Sequence, residues 1–537
     1  MKKLLLLISL FSVSFAFSQE EAAWVYFTDK PNQATYLANP LTMLTQRSID
    51  RRTRQNIVLD TKDVPVSSSY INSLDNTAGI SVMAKSKWLN AVYVIGFQSD
   101  IAGLKTKFSF VSSIDFATNN LSSLRSGKAK TKKPSKFEKE NTTFNYGISE
   151  TQIHMLHGDY LHGQNFTGTG MIIAVLDAGF PGVNIFSGFS RLRTNNQILG
   201  GYDFVGRSTN FYTGSWHGAA VLSTMAGFVD GSLVGTAPDA KYYLFITEDN
   251  NNETPLEESL WVEAAERADS LGVDVINTSL GYTTFDPTYD DYTYADMNGS
   301  TTFISRGAEI AFSRGMILVN AAGNEGNLNN PWHYISAPAD APSVLSIGAV
   351  DATQTAANFT SFGPTSDDRI KPDVSAMGVA SVLINSSGVV STNDGTSFAS
   401  PITAGLVACL WQAHPNATNA QITQAIKNTG SLFSSPDAQL GFGIPNFQTA
   451  LTTLAVADEN SVQKMGIYPN PVRTELHINT GGLENITVKI YDVLGHLVFQ
   501  KRDIATQSIN LSSLKKGVYV LALQSVSQQK TFKLIKE

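Results

Sequence analysis

At 537 residues the chain is long enough for roughly two to four domains and a large core. Its single cysteine, Cys409, excludes an internal disulfide and argues against a structural zinc site. The net charge of −7 is unevenly spread: residues 146–460 carry 30 acidic side chains against 10 basic ones, which argues against a nucleic-acid partner for that region.

In chain order, residues 1–18 begin with two lysines and continue with fourteen mostly apolar residues from Leu4 to Phe17. That run is shorter than the roughly 20 residues that span a bilayer, and Ala16-Phe17-Ser18 puts small residues where a signal peptidase reads. A cleaved signal peptide is expected, with a membrane anchor as the competing reading. No later stretch reaches spanning length, so an exported, soluble mature protein is expected. Residues 19–121 alternate strand-like runs (Ala23 to Phe27, Ala91 to Gly96) with polar helical candidates near 40–54 and 98–108, which reads as a small α+β domain. Residues 122–145 form a basic stretch poor in hydrophobic residues, from Arg125 to Lys139, and are expected to be a linker that is cut during maturation.

Between 146 and 455 short apolar runs (Met171 to Leu176, Tyr242 to Ile246, Val273 to Asn277, Met316 to Asn320, Val344 to Val350) alternate with helical segments such as Leu256 to Leu271 and Ile304 to Arg314. The pattern predicts an α/β domain, a mostly parallel sheet with helices on both faces, whose functional groups gather at the carboxyl ends of strands. Residues 461–537 show short alternating strands divided by turn residues and read as a small all-β sandwich.

Four contexts in the middle region carry chemistry. Asp177 ends an apolar strand and is followed by Ala178-Gly179, so its carboxylate leaves at the strand's carboxyl edge, although an acid there is common in any α/β protein. His217 starts a helix running to Ala226 and is followed by Gly218, which leaves room for a substrate beside a near-neutral base. Asn324 follows Ala321-Ala322-Gly323; its amide can donate to an oxyanion, or the residue can merely serve a left-handed turn. Ser397, in Gly395-Thr396-Ser397-Phe398-Ala399-Ser400-Pro401, opens an apolar segment, where helix amides favour a nucleophile; the plain alternative is a helix capped by Thr396 or Ser397. Ser279-Leu280-Gly281 and Ala322-Gly323 offer backbone to an extended peptide. Three close histidines, His154, His157 and His162, lack a carboxylate set for a metal.

Together these frames, in the order Asp, His, Asn, Ser, resemble the subtilisin-like serine proteases. The resemblance implies a secreted serine endopeptidase acting on proteins and peptides. In it Ser397 is the nucleophile, His217 the base, Asp177 its orienting partner and Asn324 an oxyanion donor, and catalysis needs no cofactor. Ala178 and Ala219 depart from the family's usual hydroxyl residues. Residues 19–121 look like the family's inhibitory propeptide, making the chain an inactive precursor. Tyr468-Pro469-Asn470-Pro471, Ile490-Tyr491-Asp492 and Gly517-Val518-Tyr519 resemble the C-terminal sorting domain of the type IX secretion system of Bacteroidetes; an adhesive Ig-like module is the alternative. An export route through the periplasm to the cell surface or medium follows, with that machinery as a partner and neither nucleic acid nor stable membrane insertion. Structural calcium at Asp286, Asp290, Asp291 and Asp296 stands against a plain solvent-facing acidic loop. A catalytically dead relative is disfavoured by the intact set. An esterase of the α/β-hydrolase type fails, because Ser397 is not in Gly-x-Ser-x-Gly and the acid and base precede it.

Overall fold

The structure is a computed structural model and describes residues 20–117, 144–327, 329–461, 466–479, 486–502, 508–524 and 529–537. The expected signal peptide and nearly all of the basic linker lie outside these residues. Among them, no helix is long and apolar enough to cross a membrane. The chain divides into two compact units between Leu454 and Ala455.

In the first unit, strands β1 (Glu20–Phe27), β2 (Ile80–Ser86), β3 (Ala91–Phe97) and β4 (Val111–Phe116) form an antiparallel sheet in the order β2-β3-β1-β4. The strand period of two explains why β1 is buried almost throughout. Ala23, Val25 and Phe27 face the sheet's own small core with Leu74, Ile101 and Leu104. Ala22 and Trp24 face the opposite way, into a second core that Trp88 and Tyr93 share with the larger domain. Helix α1 (Gln46–Arg54) is capped by Thr45, whose side chain accepts from the Ser48 amide.

The larger domain is built on seven parallel strands: β5 (Ile172–Asp177), β6 (Ile198–Asp203), β7 (Lys241–Ile246), β8 (Val275–Thr278), β9 (Ile317–Ala321), β10 (Leu345–Val350) and β11 (Val374–Met377), ordered β11-β10-β9-β8-β5-β7-β6. Helices α2 (His217–Ala226), α3 (Pro255–Leu271), α4 (Phe303–Ser313) and α5 (Thr396–Ala413) cover it. Residues Ile173 and Val175 of β5 pack with α2 and α5, while Ile172, Ala174 and Leu176 pack with α3 and α4. A strand buried on both faces must be apolar throughout, which is why β5 reads as a continuous apolar run. From β5 the chain builds outward to β6 and β7 on one side, then crosses back to β8 and beyond. Asp177 therefore ends the strand at the topological switch point, where crevices open in sheets of this kind. Helix α3 has firm ends: a capping box of Thr254 and Glu257, Pro255 in its first turn, and Gly272 in the left-handed conformation (φ 82°).

Strands β6 and β11 are absent from the sequence reading for a physical reason. Gly200-Gly201 removes the apolar signal from β6, a half-buried edge strand, and in the short β11 Ser375 interrupts the apolar run.

The second unit holds two antiparallel sheets. One joins Gly466–Tyr468, Glu475–Asn479 and Ser508–Asn510; the other joins Leu497–Lys501, Thr487–Tyr491, Gly517–Gln524 and Gln529–Lys536. Leu476, Ile478, Val488, Ile490, Leu521, Leu523 and Leu534 form its own core.

Candidate active site

Asp177 is fully buried, and its Oδ1 receives both the Ala178 amide and His217 Nδ1, each at 2.8 Å. Glycine makes this meeting feasible. Gly179 (φ +148°) forms a bridge with Gly214, with Phe180 N donating to Thr213 O and Ser215 N to Ala178 O, and this pairing brings the chain round to His217. A Cβ on Gly218 would lie 2.4 Å from Gly179 O and 2.9 Å from the Asp177 Cβ. The glycine after the histidine thus makes room for the aspartate strand; the substrate space expected of it from sequence is not what it supplies. Burial lowers the His217 pKa, but the charge and hydrogen bond of Asp177 raise it, and the net position is above the ordinary value of 6.5. Asp177 Oδ2 has no hydrogen-bond partner among the described residues, and Ala178 and Ala219 both lack a hydroxyl to offer it.

Ser397 stands in the first turn of α5, whose N-cap is Gly395; neither Thr396 nor Ser397 is the cap. Its Oγ donates to Ser279 O at 3.2 Å. Four residues on, Pro401 lies inside the helix and has no N–H, so the Ser397 carbonyl loses its usual helical partner. The Ser279 hydroxyl supplies the bond instead, at 2.8 Å. Behind it, Asn277 at 0% exposure donates to Ser279 Oγ (3.3 Å) and accepts from Ser400 Oγ (3.0 Å).

Asn324 is exposed and does not have a positive φ; the left-handed residue in that turn is Gly323 (φ +115°). Asn324 Oδ1 accepts from Thr396 N (2.9 Å) and Thr396 Oγ1 (3.0 Å). Because a backbone amide can only donate, the oxygen end of the side chain is the anchored one, which leaves the NH₂ end as a free donor.

A cleft of about 590 Å³ joins these groups; His217, Ser397, Asn324, Ser279, Leu280, Gly281 and Gly323 all line it. Ala322, expected beside them, is buried behind the wall, and Ala321 lines the cleft in that stretch. Sequence reasoning missed Thr396, Asn277, Pro401 and the glutamates of the far wall. Glu248, Glu253 and Glu257 bring carboxylate oxygens within 4.8 Å of one another, the one group of three or more such ligands among the described residues. Burial first, then the charge of neighbouring glutamates, pushes Glu257 up to about 8 and raises Glu248 as well; Glu253, whose side chain is exposed, is raised in the same direction beside Asp286. Asp286, Asp290, Asp291 and Asp296 do not converge in this way: Asp286, Asp291 and Asp296 accept turn amides from Glu253, Phe285 and Thr293. His162 is a core residue bonded to Tyr146 Oη (2.7 Å) and Thr236 O (2.9 Å), and Cys409 is buried with its thiol against Thr236 O.

The first domain reaches the second through α3 and α4. Trp24 stacks on Phe303 (5.1 Å between centroids) and donates to Ser259 Oγ at 2.8 Å. Glu266 accepts from Ser86 Oγ (2.7 Å), Lys87 N (3.0 Å) and Trp88 N (2.9 Å). Arg51 and Arg52, both buried, pair with the two oxygens of Asp269 near the carboxyl end of α3, at 2.5 and 2.6 Å.

Comparison with known proteins gives three matches along the chain. A profile for the subtilase family matches residues 168–448. One for the peptidase S8 propeptide domain of Bacteroidota matches 22–136, and one for a secretion system C-terminal sorting domain matches 466–537. Over 307 residues the chain is 31% identical to Subtilisin NAT of Bacillus subtilis subsp. natto, covering 57% of this chain and 70% of that one. It is equally similar, at 31% over 307 residues, to Subtilisin of Bacillus pumilus, covering 98% of that chain.

Proposed function

The chain belongs to the subtilase family, and from that premise we propose that Asp177, His217 and Ser397 are its catalytic triad and Asn324 an oxyanion donor. The protein is a serine endopeptidase with a propeptide, directed to the cell surface or medium by its C-terminal sorting domain. Catalysis in the family needs no cofactor.

The observation that carries the residue assignment is the 2.8 Å bond from His217 Nδ1 to buried Asp177. It fixes the tautomer, so Nε2 is the basic nitrogen. Ser397 Oγ attacks the scissile carbonyl as Nε2 takes its proton, and that proton then goes to the departing amine as the C–N bond breaks. Water repeats the sequence to release the acyl group. The oxygen of the tetrahedral intermediate meets the Asn324 NH₂ and the Ser397 amide, which lies in a helical first turn where no intrahelical acceptor exists. An extended peptide pairs with 279–281.

The propeptide domain, bounded here at 19–121, acts as an intramolecular inhibitor, and the linker at 122–145 is where it is released to free the 146–455 domain. Its hold on α3 and α4 supports this reading. The secretion machinery engages residues 461–537, and exposed Val493, Leu494 and Val518 offer it apolar surface.

Two substitutions test the assignment. Ser397→Ala abolishes fluorophosphonate labelling and self-processing. Asn324→Ala is still labelled, slowly, with turnover lowered roughly 10²- to 10³-fold, a size typical of losing one such donor in this family. Labelling of Ser397→Ala, or wild-type turnover by Asn324→Ala, refutes the corresponding role.

A further inference from the structure

The cleft opens where two neighbouring strands part. Strands β8 and β9 stay paired as far as Thr278 and Asn320. Beyond that rung the β8 side runs on as the 279–281 wall, while the β9 side keeps its pairing with β10 through Ala321 and Ile347 and continues to Gly323 and Asn324. Asn320 is therefore the last paired residue before the fork. It is 1% exposed, and its side-chain amide reaches both branches: Nδ2 donates to Leu280 O at 3.1 Å and to Ala321 O at 2.8 Å.

Both bonds need the NH₂ end, because a carbonyl only accepts. The other end, Oδ1, is buried without a hydrogen-bond partner among the described residues. A leucine would fill the same space with no polar atom left over, so packing alone is a poor account of an asparagine here. The donor is what the position uses. On the β9 branch, Asn324 is held separately by Thr396. On the β8 branch, Ser279 is tied to Ser397 O through its hydroxyl and Tyr282 to Ala337 through the backbone, and the Asn320 bond holds Leu280 between these two anchors. Ser279 O faces Ser397 Oγ whereas Leu280 O faces Asn320, so consecutive carbonyls point to opposite sides, as an incoming strand requires.

Resting on the reading of the cleft given above, we propose that Asn320 is a positioning residue for the substrate backbone. By holding Leu280 O it keeps the 279–281 edge in register to pair with an extended peptide. It acts through Leu280 and is not itself among the residues that line the cleft.

The test uses purified active enzyme and end-blocked peptides of two lengths, about two and about six residues, that share one scissile bond. The wild type is expected to cleave the longer peptide about hundredfold better in kcat/KM, the yield of a few backbone bonds. Asn320→Leu and Asn320→Ala are each expected to cut that gain to about tenfold, chiefly through KM, while fluorophosphonate labelling stays at the wild-type rate. The two variants share the lost donor and differ in the volume they leave, so a packing role separates them and a positioning role does not. A gain that survives Asn320→Leu overturns the proposal, and so does a wild type that gains nothing from length. Failure of both variants to be labelled also overturns it, because Asn320 then serves the fold as a whole. If wild-type Ser397 is not labelled at all, the protease reading of the cleft falls and this inference falls with it. Labelling with an unchanged length dependence sinks the inference alone.

Discussion

At the scale of single residues, His217 sets the pH response. Burial lowers its pKa, the Asp177 charge and hydrogen bond more than compensate, and the imidazole titrates above 6.5. Only the neutral ring accepts the Ser397 proton, so kcat/KM should rise with pH through a midpoint above 6.5. Asp177→Asn removes the raising charge. The limb should move to lower pH while kcat falls by about 10⁴-fold, the size typical of a triad left in the wrong tautomer. A pH–rate profile of both forms measures this, and an unmoved limb refutes the coupling. The residues that stand out in the sequence are those whose chemistry sits in a short local frame: Asp177 at a strand end, His217 before glycine, Asn324 in a small-residue turn, Ser397 at a helix mouth. The roles of Thr396 and Asn277 do not stand out, because each meets a partner from a segment distant in the chain, Asn324 and Ser400 respectively.

Among elements, the contact of α3 with the propeptide sheet carries a second pH dependence. Burial pushes Glu266 up to about 7, against the Lys87 charge and the three bonds it receives from Ser86, Lys87 and Trp88. A carboxyl raised in the docked state and ordinary when undocked favours docking below about 4.5, and this contribution is lost as pH rises through about 7, on the order of 3 kcal/mol in all. Nearby Lys30, lowered to about 8 by burial, acts in the opposite sense but only above that pH. In the Ser397→Ala chain, which keeps its propeptide attached, hydrogen exchange across Ala84 to Val94, corrected for intrinsic rates, should quicken between pH 5 and pH 8. Glu266→Gln should flatten the trend; an equally steep trend refutes Glu266 as its source. The strands on both sides of this contact are visible as apolar runs. The contact itself is not, since Glu266 reads as one more charge on a helix and Arg51 and Arg52 as a polar surface.

For the whole molecule, the second unit keeps a closed set of strand pairings and a core of its own. A chain ended at Asn460 retains β5 to β11 and every residue lining the cleft. It should therefore fold, label with fluorophosphonate and cleave peptides, yet stay in the periplasm of its native host. Its normal appearance in the medium would refute the sorting role. This architecture is the most legible level, because shifts in composition mark the joins at the basic stretch and after Ala455. Edge strand β6 is the least legible, since a glycine pair erases its pattern.

Pro401 and Ser279 constrain each other's substitution. The proline takes away the amide that the Ser397 carbonyl would otherwise use, and the serine hydroxyl fills the gap. In this background, losing the Ser279 hydroxyl strands a buried acceptor next to the nucleophile. With a residue bearing an N–H at position 401, the same loss would leave that carbonyl satisfied. The two sites are thus epistatic: the order in which a lineage visits them decides whether the intermediate sequence is viable, and the proline makes one of the two routes steep.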